Sequence, residues 1–203
     1  LAFNGAEAIS PRTLERFIRR FEPYGFRAEA MTPVYGLAES SVGLAFPPLG
    51  RGVRIDRVER AVLEQEGIAR PASADDAGAA RFVGCGHALA GHELRIADAH
   101  GNALPERREG DVQFRGPSST AGYYRNPEAT RALFHDGWLA TGDRGYLAEG
   151  EIFLTGRTKD LIIRAGRNIH PEDIEAVVSE IEGIRLPAAG DESAGTTPTD
   201  EDH

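Results

Sequence analysis

Three short segments alternate apolar and polar residues with the period of a β-strand, and this pattern constrains the fold more than any other feature. They are Glu93–Ala97, Asp111–Arg115 and Glu151–Thr155. Turn-forming residues lie between them, in particular the run 98–102 and the pair Glu149–Gly150. Successive side chains of a strand point to opposite faces, so each segment can bury one face. Several such strands joined by turns predict an antiparallel sheet or a distorted barrel.

The residues before this sheet predict one helix and several irregular segments. Ser10 can cap a helix that begins at Pro11, and apolar residues follow at helical spacing. Residues 34–42 are small and apolar and contain glycine, which predicts a strand end that runs into a tight loop. Residues 51–68 are compatible with a short strand and a helix. Residues 69–80 are rich in Pro, Ala, Ser and Asp and predict an exposed loop.

The last part of the sequence changes character after the third strand-like segment. Asp160–Arg164 predicts another strand, and Pro171 can open a helix with acidic residues in its first turn and apolar residues on one face. Residues 187–203 form an acidic tail rich in Gly, Thr and Pro, too polar to bury a core, and we expect it to be disordered.

Composition excludes several classes of function. The net charge of −9 owes five units to acidic residues between Asp191 and Asp202, so the rest of the chain is only mildly acidic. Without a basic stripe, a nucleic-acid partner is not expected. No apolar run is long enough to span a membrane and no secretory signal is readable, which favours a cytoplasmic protein. The single cysteine, Cys85, cannot form an intrachain disulfide, and the Cys and His spacing does not fit a zinc site.

Four short motifs occur in order along the chain. They are Asn4-Gly5-Ala6-Glu7, Tyr35-Gly36-Leu37-Ala38-Glu39-Ser40, Thr141-Gly142-Asp143 and Gly156-Arg157-Thr158-Lys159-Asp160. One such string alone would be weak evidence, whereas four in sequence are specific. Together they resemble the adenylate-forming superfamily of acyl-CoA synthetases, peptide-synthetase adenylation domains and luciferases. The resemblance runs from about Asn4 to Arg185.

The resemblance implies a mixed α/β (α+β) fold with two parts. Residues 1–156 would be the C-terminal portion of the large adenylating domain and contain a distorted antiparallel β-barrel. Residues 157–186 would be the hinge and the start of the small C-terminal domain, followed by the tail 187–203.

The resemblance also assigns nucleotide-binding residues, and each assignment agrees with the chemistry of the side chain. The residues are Gly5, Ala6, Glu7, Tyr35, Gly36, Asp143 and Arg157. An adenine ring fits between a peptide plane, here that of residues 5–7, and the aromatic face of Tyr35. The two oxygens of Asp143 can accept hydrogen bonds from both ribose hydroxyls, and Arg157 offers planar donors to the ribose or the phosphates.

Other positions of the resemblance concern the metal and the hinge. Glu39 offers a carboxylate oxygen to the Mg²⁺ that accompanies ATP. The family often has Thr where this chain has Ala38, although fatty acyl-AMP ligases share this departure. Lys159 lies at the hinge between the two domains. Tyr123, Tyr124 and Trp138 are interpreted as packing residues without a chemical role.

The spacing of the motifs favours one branch of the superfamily. Nearly fifty residues separate Tyr35 from Gly84, and the excess over acyl-CoA synthetases falls in Pro47–Phe82. Fatty acyl-AMP ligases carry an insertion at this place, thought to hinder the domain rotation that CoA thioester formation requires. The expected reaction is therefore adenylation of a fatty acid by ATP, with the acyl group passed to an acyl carrier protein or a polyketide or peptide synthetase. An acyl-CoA synthetase remains the alternative.

Two parts of the family pattern do not occur in the 203 residues. They are the Gly/Ser/Thr-rich loop with lysine that grips the phosphates, and the catalytic lysine of the small domain. Because both supply charge to the transition state, we expect a fragment that is inactive alone, with no catalytic residue of its own. The start at Leu1 agrees with this expectation. A non-catalytic remnant that binds nucleotide or another protein is the rival hypothesis.

Overall fold

The computed structural model describes residues 1–164, 167–169, 174, 178 and 181. Within this part of the chain the α-helices are α1 (Pro11–Phe21), α2 (Arg60–Glu66) and α3 (Pro127–Leu133). The strands are β1 (Ala2–Asn4), β2 (Met31–Pro33), β3 (Ala45–Phe46), β4 (Ile55–Val58), β5 (Ala80–Val83), β6 (His87–Ala88), β7 (Glu93–Ala97), β8 (Gly110–Arg115), β9 (Phe134–His135), β10 (Trp138–Ala148), β11 (Glu151–Arg157), β12 (Ile162–Arg164) and β13 (Arg167–Ile169). Short 3₁₀ turns lie at Glu22–Tyr24, Ala28–Ala30 and Ala38–Ser40.

The main sheet is antiparallel and has the strand order β11-β10-β8-β7, with the short β9 paired to β10. All three strand-like segments of the sequence lie in this sheet. A bridge between Gly84 and Phe153 and a 2.9 Å hydrogen bond from the Cys85 amide to the Ile152 carbonyl extend it past β11. The mixed fold with antiparallel strands is confirmed. Within the described residues, no named strand pairs with the outer edge of β7 to close a barrel.

Both faces of the sheet are buried at β11, because neighbouring side chains there point to opposite sides. Ile152 and Phe153 are both fully buried. Ile152 belongs to a cluster that includes Val112, Phe114, Tyr35 and Leu44. Phe153 belongs to a second cluster, in which Tyr146 stacks on its ring at a centroid distance of 5.2 Å.

The segment Pro47–Phe82 covers the second face. It contains β4, α2 and most of β5, and β4 pairs with β5 in antiparallel register. Its residues Val58, Leu63 and Ala69 are fully buried or nearly so and pack in the cluster of Phe153. The predicted short strand and helix are confirmed. The predicted exposed loop 69–80 is confirmed between its ends only, because Ala69 and Ala80 are buried and Ala80 begins β5. The segment Pro47–Phe82 is therefore a packed part of the core.

The first helix follows its sequence signals. The Ser10 hydroxyl accepts a 3.3 Å hydrogen bond from the Thr13 amide, and Pro11 occupies the first turn. Leu14 is buried against Met31 and Val83. This packing places the residues that follow β1 beside β2.

Beyond Arg157 less of the chain is described. The predicted strand is present as β12, which pairs with β13. The predicted helix from Pro171 lies mostly outside the described residues. Two of its positions are described, Ile174 and Val178, and both are helical. The tail 187–203 also lies outside them, and the division near residues 157–160 stays a prediction.

Candidate functional site

The third motif lies on an irregularity of β10. Ala140 pairs with Gln113 of β8 and Arg144 pairs with Asp111, so β10 contains extra residues over this interval. Gly142 has a φ of +78°, and the Thr141 hydroxyl bridges the strands by donating to the Val112 carbonyl at 2.9 Å. Such bulges redirect side chains and are common beside binding sites. This one directs Asp143 toward Tyr35.

Tyr35, Asp143 and Arg157 are joined although they are far apart in sequence. The Tyr35 hydroxyl donates a 2.6 Å hydrogen bond to Oδ2 of Asp143. The Nε of Arg157 lies 3.6 Å from Oδ1 of the same carboxylate, and the two residues are register partners on β10 and β11. Tyr35 is buried, whereas the Arg157 side chain is 57% exposed. The group therefore extends from the core to the surface.

Burial raises the pKa of two members of this group, Asp143 and Tyr35. Burial raises the pKa of Asp143, while the hydrogen bond from Tyr35 and the charge of Arg157 act in the opposite direction. The charge of Glu39 raises this pKa further. Burial, followed by the charge of Asp143, raises the pKa of Tyr35 well above its ordinary value. Tyr35 is thus a neutral donor at any physiological pH.

The first motif runs alongside the segment that leads into Tyr35. The parallel strands β1 and β2 align Asn4 with Pro33, and the Val34 amide donates to the Asn4 carbonyl at 2.8 Å. A Cβ on Gly5 would lie 2.9 Å from the Val34 carbonyl oxygen, so glycine permits this approach. Ala6 has a φ of +71°. Residues 5–7 therefore lie next to the residue that precedes Tyr35.

A small pocket of about 180 Å³ lies on this side of the molecule. Its lining includes Asn4, Gly5, Glu7 and residues of the first turn of α1. Glu7 itself is exposed. A larger surface depression of about 440 Å³ lies away from the motifs, at α2 and Gly78.

Glu39 lies in a tight turn that depends on Gly36. The Val42 amide donates to the Leu37 carbonyl at 3.0 Å, and Ser41 and Val42 both have positive φ. A Cβ on Gly36 would lie 1.6 Å from the Val42 carbonyl oxygen, a distance that no structure tolerates. Gly36 therefore shapes the turn that presents Glu39, and the nucleotide contact expected of it stays a prediction.

The carboxylate of Glu39 has a partner that the sequence interpretation did not anticipate. Its Oε1 accepts a hydrogen bond of 2.5 Å from the hydroxyl of Tyr123. The sequence indicates a packing role for Tyr123, yet the residue is 42% exposed and its hydroxyl contacts the expected metal ligand. No signal in the sequence pairs these two residues, because they are separated by 84 positions and meet only through the fold.

The residues present fit a Mg²⁺ held mainly by phosphate and water. Within the described part of the chain, no group of three or more His, Cys, Asp or Glu side chains could form a cage for a metal ion. Mg²⁺ beside nucleotide phosphates needs only one or two protein carboxylates, because phosphate oxygens and water complete its octahedron. Glu39 can supply one such carboxylate through Oε2.

Lys159 lies in an exposed turn after β11. The Asp160 amide donates to the Arg157 carbonyl at 3.2 Å across this turn. The neighbouring Thr158 is tied to β10 and β8, because its amide donates to the Gly142 carbonyl at 2.9 Å and its hydroxyl to Asp111 at 3.1 Å. The segment after Arg157 is therefore attached to the same bulge that presents Asp143.

Comparison with known proteins gives a consistent result. The family described as AMP-binding enzyme matches residues 1–124. A putative acyl-CoA synthetase of Caulobacter vibrioides is 41% identical over 198 residues, covering 97% of this chain and 34% of that protein. The medium-chain-fatty-acid–acyl-carrier-protein ligase JamA of Moorena producens is 36% identical over 190 residues, covering 88% of this chain and 32% of that protein.

Comparison with solved structures gives the same result. One from a study of fatty acyl-adenylate ligases of E. coli and L. pneumophila has a TM-score of 0.86 at 38% identity, covering 91% of this chain and 34% of that one. A fatty acyl-adenylate ligase of L. pneumophila in complex with acyl adenylate and pyrophosphate has a TM-score of 0.72 at 32% identity, covering 78% and 29%. None of the helices described here is long and apolar enough to cross a membrane.

The chain spans about a third of the length of the relatives that it matches. The family match covers well over half of the chain and includes the first two motifs. The chain therefore belongs to the AMP-binding enzyme family of adenylate-forming ligases.

Proposed function

We propose that the chain is part of an ATP-dependent ligase that adenylates a fatty acid. In this reaction a carboxylate oxygen attacks the α-phosphorus of ATP, the bond from that phosphorus to the β-phosphate bridging oxygen breaks, and pyrophosphate leaves with the electron pair. The product is acyl-AMP. The observation that carries the proposal is the linkage of Tyr35, Asp143 and Arg157, which gathers three motif residues at one place.

In this proposal Asp143 binds the ribose and Tyr35 the adenine. An ionised carboxylate has about four acceptor positions, so the hydrogen bond from Tyr35 to Oδ2 leaves capacity for ribose hydroxyls. The peptide planes of residues 5–7 would cover the other face of the adenine ring. Arg157 is exposed enough to turn toward the ribose or a phosphate, and its attraction to Asp143 keeps it near.

Mg²⁺, when bound with ATP, would neutralise phosphate charge that develops as pyrophosphate leaves. Glu39 would hold it from the turn at Ala38–Ser40. The phosphate-gripping loop and the catalytic lysine do not occur in these 203 residues. The chain's own contribution is therefore to bind and orient the adenosine end of ATP.

We further propose an acyl carrier protein, or a polyketide or peptide synthetase that contains one, as the acyl acceptor. Two observations support this finer assignment. The insertion-like segment Pro47–Phe82 is packed in the core, and β13, just past the hinge, contacts α2 of that segment. The similarity to a ligase named for transfer to acyl carrier protein agrees with it. The similarity to a putative acyl-CoA synthetase keeps CoA as the alternative.

The same proposal gives the domain plan and location. Residues 1–156 belong to the large domain, 157–186 to the hinge and small domain with Lys159 at the hinge, and 187–203 to the acidic tail. A cytoplasmic location suits an enzyme that consumes ATP.

The test uses the complete ligase that contains this chain. It is incubated with ATP, Mg²⁺ and fatty acids of graded length, and the products are identified by mass spectrometry. We expect acyl-AMP, which persists when CoA is added and is consumed when carrier protein with its phosphopantetheine arm is added. Formation of acyl-CoA would overturn the acceptor assignment. Absence of acyl-AMP with every acid would overturn the adenylation itself and favour a non-catalytic role.

A further inference from the structure

The loop 116–124 lies directly against the turn that contains Glu39. The Thr120 amide donates to the Glu39 carbonyl at 2.8 Å, and the Ser118 hydroxyl donates to the Ser40 carbonyl at 2.9 Å. In return the Ser41 hydroxyl donates to the Ser118 carbonyl at 3.2 Å. These hydrogen bonds hold the two segments together without any contribution from the Glu39 side chain.

The end of this loop is fixed by α3. The Tyr123 amide donates to the Thr130 hydroxyl at 2.9 Å, and that hydroxyl donates to the Asn126 carbonyl at 2.8 Å. Asn126 in turn caps α3 by accepting from the Ala129 amide at 3.0 Å. A Cβ on Gly122 would lie 2.5 Å from the Thr130 side chain, so the backbone passes very close to the helix. Tyr123 thus projects from an anchored backbone.

The Tyr123 hydroxyl completes the arrangement by donating to Oε1 of Glu39. Its neighbour Tyr124 does not share this role, because its side chain is 85% exposed and its ring lies against the Arg125 guanidinium. Two adjacent tyrosines with the same chemistry therefore differ in one respect that matters, which is the contact with Glu39.

We propose that Tyr123 is a positioning residue that orients the Glu39 carboxylate for Mg²⁺·ATP. This inference rests on the proposed function, in which Glu39 is the metal ligand. The hydrogen bond holds Oε1 and leaves Oε2 for the metal. Tyr123 itself touches neither nucleotide nor metal in this role.

Physical reasons favour a net gain from this contact. A free glutamate side chain loses rotamer entropy when it is ordered, and Tyr123 orders it before the metal arrives. Hydrogen-bond partners of metal-ligating carboxylates commonly contribute about 10- to 100-fold to metal affinity or activity. The carboxylate retains acceptor positions, so the tyrosine does not occupy the metal's place.

The experiment compares Tyr123→Phe with the matched control Tyr124→Phe in the complete ligase. Titration calorimetry measures ATP binding without fatty acid, so that no reaction occurs, once in excess Mg²⁺ and once in EDTA. We expect Tyr123→Phe to weaken binding roughly 10-fold in Mg²⁺ and to leave binding in EDTA unchanged. Tyr124→Phe is expected to match the wild type in both conditions. Thermal unfolding of both variants checks that the fold is kept.

Each outcome bears on a different claim. Wild-type affinity of Tyr123→Phe in Mg²⁺, or a tighter affinity, would overturn the positioning role and leave the proposed function standing. An equal loss in Mg²⁺ and in EDTA would also overturn it, because the effect would then be on the nucleotide pocket in general. A wild-type ligase that binds ATP no better with Mg²⁺ than without it would overturn the metal role of Glu39 and this inference with it.

Discussion

Asp143 combines a charge with partial burial, and this combination makes its ionisation unfavourable to folding. Burial raises the pKa of Asp143 in the folded chain above its ordinary value near 3.9. The folded state therefore retains this proton more than the unfolded state, and stability decreases as pH rises from about 3.9 through the folded pKa. Well below pH 3.9 the effect vanishes. Such a cost is typical of a residue kept for binding.

The first prediction follows from this decrease in stability with rising pH. Asp143→Asn removes the titration while it keeps an oxygen for the Tyr35 hydroxyl. We expect the free energy of unfolding of the variant, relative to the wild type, to increase as pH rises from about 3.5 to 7. Denaturant unfolding at a series of pH values measures this difference. A difference that stays constant or decreases with pH would show that Asp143 is not penalised by burial.

A second prediction concerns Gly36. Gly36→Ala places a methyl group against the Val42 carbonyl, so the turn at Glu39 must shift. We expect a loss of about 2 to 3 kcal/mol in the free energy of unfolding, as for other overpacked sites. Gly78→Ala is the control, because its added carbon would meet only the Asp76 side chain at 3.4 Å. Equal stability of the two variants would contradict this account of the turn.

At the scale of elements, the insertion-like segment is fastened to the main sheet by one buried carboxylate. Glu151 of β11 is fully buried and accepts from both terminal nitrogens of Arg51, at 2.8 and 2.7 Å, and from Arg54 at 3.1 Å. It also accepts from the Gly86 amide at 2.9 Å. Although burial alone would raise the pKa of Glu151, its hydrogen bonds and the arginine charges lower it overall.

The third prediction is that Glu151→Gln destabilises the fold by about 3 kcal/mol, because it removes one partner of a buried charge network. Glu93→Gln is the control, since the Glu93–Arg115 pair has the same chemistry but both side chains are about half exposed. We expect that control to lose much less stability, because water screens an exposed ion pair. Denaturant midpoints compare the two, and similar losses would mean that burial does not strengthen the Glu151 network.

The low pKa of Glu151 also gives a pH dependence. A carboxylate with a depressed folded pKa stabilises the fold above its ordinary pKa of about 4.3, and that contribution is lost as pH falls through the folded pKa. The difference between the wild type and Glu151→Gln should therefore shrink as pH falls below about 4.

Element prediction succeeded where the pattern was regular and local. The alternation of β7, the apolar residues of β8 and the Ser10 cap of α1 were sufficient to place those elements. The eleven-residue β10 and the helix α3 were not predicted. The bulge and the positive φ of Gly142 break the alternation of β10, and α3 has only seven residues, too few for a periodic pattern. Pairing with β8 and β11 stabilises β10, and the Asn126 cap stabilises α3.

The candidate site was also predictable only in part. Motifs identified Tyr35, Glu39, Asp143 and Arg157, and the fold brings Tyr35 and Arg157 onto Asp143. The Tyr35–Asp143 hydrogen bond and the contact of Tyr123 with Glu39 could not be predicted. Each joins distant segments through side-chain directions, which residue types alone do not encode.

At the scale of the whole molecule, the chain spans about a third of the length of the relatives that it matches. The fourth prediction is that the purified 203-residue chain shows no ATP–pyrophosphate exchange with any fatty acid, because the phosphate loop and the catalytic lysine are not among its residues. Each such charge-stabilising part is commonly worth about 3 to 4 kcal/mol of barrier. The complete ligase assayed alongside is the positive control. Measurable exchange by the chain alone would show that those parts are dispensable.

The most direct test of the central claim is ATP–pyrophosphate exchange by the complete ligase with Asp143→Ala. Loss of a carboxylate that accepts from ribose hydroxyls should cost on the order of 2 kcal/mol, which is roughly a 30-fold fall in kcat/KM for ATP. Unfolding of the variant is measured alongside to confirm that it is folded. We expect kcat/KM for ATP to fall by that factor and the KM for the fatty acid to change little. An unchanged kcat/KM for ATP would mean that the ribose is bound elsewhere and would contradict the assignment of this site.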